Sequence, residues 1–210
     1  MLVACLDFEG VLVPEIWINF AEYTGISELK ATTRDVPDYD RLMRQRLKIL
    51  KEHGFGLGDI QNVIEQMGPL PGAFEFLQWL RQQFQVIILS DTFYEFAAPL
   101  IKQFHWPVLL CHTLKCDDQG NVIDYILRQR DGKRQAVKAF KMLHYKVIAV
   151  GDSYNDTTML SEADFGILFR PPENVIKEFP QFPVTREYSE LKRVFQEAAL
   201  KLENNRGGES

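Results

Sequence analysis

A chain of 210 residues has room for one large domain or for a core with a smaller insert. Acidic side chains outnumber basic ones, 29 to 24, for a formal charge of −5, so no basic excess points to a nucleic-acid partner. The 46% hydrophobic and 25% charged content is that of an ordinary globular chain and excludes collagen-like and low-complexity classes. Apolar runs fall far short of the ~18 residues that span a bilayer. The first six residues lack a basic n-region and are cut off by Asp7, so neither a membrane partner nor a secretory route is expected. Cys5, Cys111 and Cys116 fit no disulfide framework, and His112 is the sole ligand candidate between the last two. Neither disulfides nor zinc are expected, and a reducing cytoplasm is the default compartment.

In chain order, residues 2–6 form a short apolar run that stops at Asp7 and reads as a buried strand. Residues 14–69 contain no such run. Helical patterns occupy 15–23, 38–53 (with Gly54 at the C-terminal turn) and 60–67, where Asp59 is the expected cap. This segment reads as a helical insert. Two further strand-length runs follow, 86–89 ending at Ser90-Asp91 and 147–150 ending at Gly151-Asp152. Helical patterns at 71–83, 94–105 and 133–145 lie around them, and 107–127 reads as a hairpin turning at 117–121. Residues 187–202 form the last helix and 203–210 a frayed tail. Strands alternating with helices predict an α/β, Rossmann-like parallel-sheet core, residues 1–13 and 70–202, interrupted by the insert 14–69.

In such a sheet, ligands bind beyond the carboxyl ends of the strands. Three expected strand ends carry Asp7, Asp91 and Asp152, with Glu9 and Asp156 nearby. One strand-end aspartate is ordinarily a helix cap. Several carboxylates converging in one crevice repel, and a bound cation relieves the repulsion. Oxygen-only ligands favour Mg²⁺ over zinc.

The insert adds an independent signal. On a helical wheel of 38–53 with Leu42 at zero, Tyr39, Met43, Leu47, Ile49 and Leu50 span about −20° to 140°. Arg46 falls at about 40°, inside that apolar arc. An arginine there is either a snorkelling or ion-paired structural residue, or a grip for a substrate carboxylate.

The segments Asp7-Phe8-Glu9-Gly10-Val11, Ser90-Asp91-Thr92, Lys133 and Gly151-Asp152-Ser153-Tyr154-Asn155-Asp156 resemble the four ordered motifs of the haloacid dehalogenase superfamily. Within it the chain looks like phosphoserine phosphatases, nearest the bacterial bifunctional phosphoserine phosphatase/homoserine phosphotransferase type. The resemblance implies a haloacid dehalogenase-type core with a small helical cap. It makes Asp7 the nucleophile and Glu9 the acid/base. Asp7, the Glu9 carbonyl and Asp152 would hold Mg²⁺, with Asp156 supporting the ligands. Ser90, Asp91, Lys133 and Asn155 would serve the substrate, Arg46 would take its carboxylate and Glu15 its ammonium. O-phospho-L-serine is the implied donor, with water and L-homoserine as acceptors. Two departures from the phosphatase pattern are Glu9, usually a second Asp, and Asp91, usually Gly. Other readings are a phosphatase for another small phosphomonoester, a receiver-like phospho-accepting module and a catalytically silent homologue. The sequence leaves homo-oligomerisation open.

Overall fold

The computed structural model describes residues 1–32, 35–36 and 38–204. Its sheet has seven strands: β1 (Leu2–Leu6), β2 (Gln85–Phe93), β3 (Val108–Cys116), β4 (Val122–Ile126), β5 (Lys146–Gly151), β6 (Phe165–Phe169) and β7 (Val184–Thr185). Their order is β4-β3-β2-β1-β5-β6-β7. Every neighbouring pair is parallel except β3–β4, the expected hairpin. The mixed α/β class matches the expectation. β6 and β7 are additions to it: 165–169 is an apolar run like the others, and the strand pattern was not extended to it.

β1 lies at the centre, with the chain proceeding to β2 on one side and β5 on the other. Its alternate residues divide between two apolar layers. Ala4 and Leu6 join one, with Phe76, Phe96 and Phe195; Val3 and Cys5 join the other, with Val137, Met159 and Val175. Burial on both faces explains why the strands read as continuous apolar runs. The first layer is covered by helices α4 (Ala73–Gln83), α5 (Tyr94–Gln103) and α9 (Tyr188–Asn204), the second by α6 (Gly132–Met142), α7 (Thr157–Glu162) and α8 (Glu173–Glu178).

Between β1 and α4 run α1 (Ile16–Thr24), α2 (Tyr39–His53) and α3 (Leu57–Gln66). α2 follows the expected pattern: the Arg41 amide donates to the Asp38 side chain, and Gly54 takes φ 69° at the C-terminus. α3 departs from it. The helix begins three residues before Ile60, after Gly56, and Asp59 sits inside its first turn, where its carboxylate accepts from the Gly56 amide at 2.8 Å. Other boundaries also shift, and α6 ends at Met142 instead of 145. α5 stops at Gln103 because His105 and Trp106 take positive φ, and α9 continues through Glu203 and Asn204 of the expected tail. Residues 205–210 lie outside the described residues. The insert is packed onto the core: Trp17 meets Phe96 edge-on at 5.4 Å, and Met43, Ile60 and Ile64 join the first apolar layer. Among the described residues, no helix is long and apolar enough to cross a membrane.

The connection from β1 to the insert is held by α9. The buried Tyr188 hydroxyl donates to the Val11 carbonyl at 2.7 Å, and the Leu70 amide donates to Leu12 at 2.9 Å. Tyr188→Phe leaves the buried Val11 carbonyl unpaired, so the expected cost is about 1–3 kcal/mol. Urea unfolding checks this as a lower midpoint with an unchanged slope.

Candidate active site

The sheet register brings the acids together. Leu6 pairs with Val150, and the Asp7 amide donates to the Val150 carbonyl at 2.9 Å, so Asp7 and Asp152 leave neighbouring strands at the same level. The turn after Asp7 passes close over Asp152. Gly10 has φ 76°, and a Cβ there would lie 2.5 Å from Asp152 Cγ, so glycine is required on both counts. Carboxylate oxygens of Asp7, Asp152 and Asp156 come within 4.8 Å of one another.

Lys133 reaches this cluster from the first turn of α6 and is buried. Its Nζ stands 2.9 Å from Asp7 Oδ1, 2.7 Å from Asp156 Oδ1 and 3.7 Å from Asp91 Oδ2. Burial disfavours the ammonium, but Asp156, Asp7 and Asp91 outweigh it and hold the proton firmly. The Asp7 carboxyl is pushed well above the usual range by burial and by the charges of Asp156 and Asp152, against the pull of Lys133. Asp156 is fully engaged: Oδ1 accepts from Lys133, and Oδ2 accepts from the Asp152 and Ser153 amides at 2.9 and 3.1 Å. It is therefore suited to orienting the cluster.

β2 does not end at Leu89 as expected. It continues to Phe93, with an irregularity after Leu89 that turns 90–92 toward the cavity. Ser90 is buried there. Asp91 accepts from Asn155 Nδ2 at 3.1 Å and faces His112 Nε2 at 3.6 Å. Burial opposes its charge, but Lys133, His112 and Asn155 hold the carboxyl well below the usual range.

Glu9 points away from the acidic cluster, accepting from the Ile16 amide at 2.9 Å. Burial and the charge of Glu15 raise its carboxyl to about 8, against hydrogen bonds from the Ile16 amide and the Thr92 hydroxyl. Glu15 itself is exposed at the head of α1, on the rim of the same cavity. Arg46 is buried: one amino group donates to the Ala31 carbonyl at 2.8 Å, and the guanidinium lies 4.5 Å over the Trp17 ring. Its Nε is buried with no partner among the described residues. No salt bridge joins it to a carboxylate among the described residues, although the charges of Glu9 and Glu15 act on it. Burial lowers its pKa to about 10.

One cavity of about 810 Å³ touches nine of the ten residues named for the site, Asp7, Glu9, Glu15, Arg46, Ser90, Asp91, Lys133, Asp152 and Asn155; Asp156 is fully buried and does not line it. It also touches Trp17, Tyr39, Thr92 and His112, which sequence reasoning gave no role. Thr92 was legible as a neighbour of Asp91. His112 was not, since a lone histidine in a strand carries no signal of what lies across from it.

Gly151 is the tightest point of this arrangement. A Cβ there would lie 2.3 Å from Asp156 Cβ, so Gly151→Ala must displace Asp156 or the strand end. The expected loss of stability is about 1–3 kcal/mol, read from denaturant unfolding.

Residues 3–164 match the family model of haloacid dehalogenase-like hydrolases. Over 199 residues the chain is 67% identical to phosphoserine phosphatase ThrH of Pseudomonas aeruginosa, spanning 95% of this chain and 97% of that protein. It is 64% identical to a phosphoserine phosphatase of Pseudomonas syringae pv. tomato, over 94% of this chain and 83% of that one. The fold is shared with a substrate-bound phosphoserine phosphatase complex at TM-score 0.77 and 20% identity, covering 91% and 97% of the two chains. The ordered motifs, their convergence on one cavity and the family match agree: the chain belongs to the haloacid dehalogenase-like hydrolases.

Proposed function

We propose that this chain is a Mg²⁺-dependent phosphoserine phosphatase working through an aspartyl-phosphate on Asp7, and that it also transfers the phosphoryl group to homoserine. The observation that carries the substrate class is Arg46, a buried cation that among the described residues has no salt-bridged carboxylate and no acceptor at its Nε, on the same cavity as Asp7. A substrate carboxylate satisfies both deficits, and Glu15 on the rim suits the ammonium of the same amino acid. The names of the two Pseudomonas relatives support this reading.

Asp7 attacks phosphorus, forming a bond to its carboxylate oxygen while the bond to the serine oxygen breaks. Glu9 gives its proton to the departing alkoxide, then takes one from the acceptor, water or homoserine, as that oxygen bonds to phosphorus and the bond from phosphorus to Asp7 breaks, freeing the Asp7 carboxylate. A proton held on Glu9 near neutral pH suits the first of these roles. Lys133 and Ser90 neutralise and orient phosphoryl oxygens.

The cluster suits a hard cation, with oxygen donors alone and more negative than positive charge. Asp7, Asp152 and the Glu9 carbonyl would hold Mg²⁺, with Asp156 orienting them. Bound there, Mg²⁺ supplies charge neutralisation to the phosphoryl group. Residues 14–69 then act as a cap over the core 1–13 and 70–202 and exclude bulk water. A biosynthetic enzyme of this kind belongs in the cytoplasm.

The deciding experiment is a product assay with phosphoserine and Mg²⁺, with and without homoserine. Free phosphate is expected alone, and phosphohomoserine appears on adding homoserine. EDTA should abolish turnover and Mg²⁺ restore it, and Asp7→Asn should fall to background. Failure of phosphoserine alone, with other phosphomonoesters turned over, overturns the substrate assignment. Arg46→Ala should lower kcat/KM for phosphoserine by about 10–100-fold. The same change should leave the poor turnover of phosphoethanolamine, which lacks the carboxylate, nearly unaltered. Parallel loss of both activities with a lower melting temperature makes Arg46 a packing residue instead.

A further inference from the structure

His112 is buried, lies against the cavity and has no part in the mechanism above. It occupies β3 opposite Phe93, the first β2 residue to pair again after the irregularity that carries Asp91. Both ring nitrogens have assigned neighbours. Nδ1 accepts from the Arg128 amide at 3.1 Å, so it carries no hydrogen, and the hydrogen resides on Nε2. Nε2 faces Asp91 Oδ1 at 3.6 Å, slightly beyond hydrogen-bond length, as polar contacts in a site without substrate often are. The other Asp91 oxygen accepts from Asn155 and lies near Lys133. Asn155 in turn accepts from the Ser153 hydroxyl, on the loop that also holds Asp152. A polar chain therefore crosses the strand ends from the Arg128 amide through His112, Asp91 and Asn155 to Ser153. The Tyr39 and Phe93 rings flank the imidazole at 6.4 and 6.2 Å, fixing its plane.

We propose that His112 is a positioning residue: its Nε2–H fixes the Asp91 carboxylate, and through it Asn155 and Lys133, for phosphoryl transfer. The inference rests on the phosphoryl-transfer reading above. Without the imidazole hydrogen, the Asp91 side chain has no donor on its β3 side and rotates. Asn155 then loses its acceptor, and Lys133 shifts among its remaining carboxylates. Lys133 and Asn155 are then misaligned with the transferring phosphoryl group while the amino-acid grip of Arg46 and Glu15 stays, so the loss falls on kcat more than on KM.

Two substitutions divide the two nitrogens. His112→Gln places an amide N–H where Nε2 was, preserving the donor to Asp91 and losing the acceptor for Arg128. His112→Asn preserves an acceptor near Nδ1 and loses the donor to Asp91. The proposal expects kcat to fall about tenfold in His112→Asn with KM little changed, and to be largely rescued in His112→Gln. A role confined to holding the Arg128 amide expects the opposite order, and that order overturns the proposal, as do equal losses that follow melting temperature. In an Asp91→Asn background, His112→Asn should add little further loss; a full additional loss overturns action through Asp91. The series is read on phosphoserine and on p-nitrophenyl phosphate, which needs no amino-acid recognition. Wild-type turnover of the second alone refutes the amino-acid substrate and leaves the His112 comparison intact. Nitrogen-15 NMR of the imidazole supplies a readout free of turnover. A bare Nδ1 with hydrogen on Nε2 supports the proposal, and hydrogen on Nδ1 overturns it.

Discussion

The site depends on one buried lysine. Lys133 lies within 2.9 Å of carboxylate oxygens from both Asp7 and Asp156, and Asp91 stands 3.7 Å away. Buried carboxylates this close repel strongly, and the cation between them offsets much of that repulsion. The helix start places that cation: Asp131, at φ 51°, turns the chain into α6, and Lys133 occupies the first turn facing the strand ends. A single ammonium cannot balance Asp7, Asp91, Asp152 and Asp156. Burial and the repulsion that the ammonium leaves uncompensated push the Asp7 carboxyl up, and the proposed Mg²⁺ would offset that repulsion.

The scaffold converts strand register into chemistry. β1 and β5 are direct neighbours, so the residues that follow them are neighbours as well, and Gly10 and Gly151 permit backbone–carboxylate approaches that no side chain tolerates. The insert is built differently. α2 and α3 meet the hairpin through Arg44 and Asp124 at 2.9 Å and through the Leu57 amide and the Gly120 carbonyl at 2.9 Å. These contacts are peripheral and polar, whereas Trp17, Met43 and Ile60 share the apolar layer of the core. Apolar packing therefore seats the insert, and exposed polar pairs of this kind add little to its stability.

What could be read from the sequence follows from how local each cause is. β1 and β5 were legible because burial on both faces leaves an uninterrupted apolar run. α2 was legible because Asp38, a three-to-four apolar repeat and Gly54 are all local signals. Arg46 stood out as one charge on an apolar face, and its unpartnered Nε is the structural counterpart of that anomaly. The start of α3 was misplaced because Gly56 gives no side-chain cap, and Asp59 acts from inside the turn to satisfy the Gly56 amide. The continuation of β2 to Phe93 arises from pairing with β3, which no local pattern encodes. His112 was legible only as a metal-ligand candidate beside the cysteines, because its place in the site comes from the strand beside it and the loop amide of Arg128.

The cavity has two ends built on different parts of the chain. Asp7, Lys133 and Asp152 come from strand ends and a helix start of the core, while Arg46, Trp17 and Glu15 come from the insert or its entrance. Glu9 lies between them, in contact with both: its carboxylate takes the first amide of α1 and a hydroxyl hydrogen bond from Thr92 of β2. The proposed acid/base is thus tied to the position of the insert as well as to that of the nucleophile. A displacement of α1 removes the amide that steadies Glu9, so the proposed proton transfer depends on the seating of the insert. On the proposed mechanism this gives the substrate a physical route from recognition to chemistry: contacts at the amino-acid end would hold α1 and α2 in place, and α1 in turn holds Glu9, the proposed acid for the leaving oxygen.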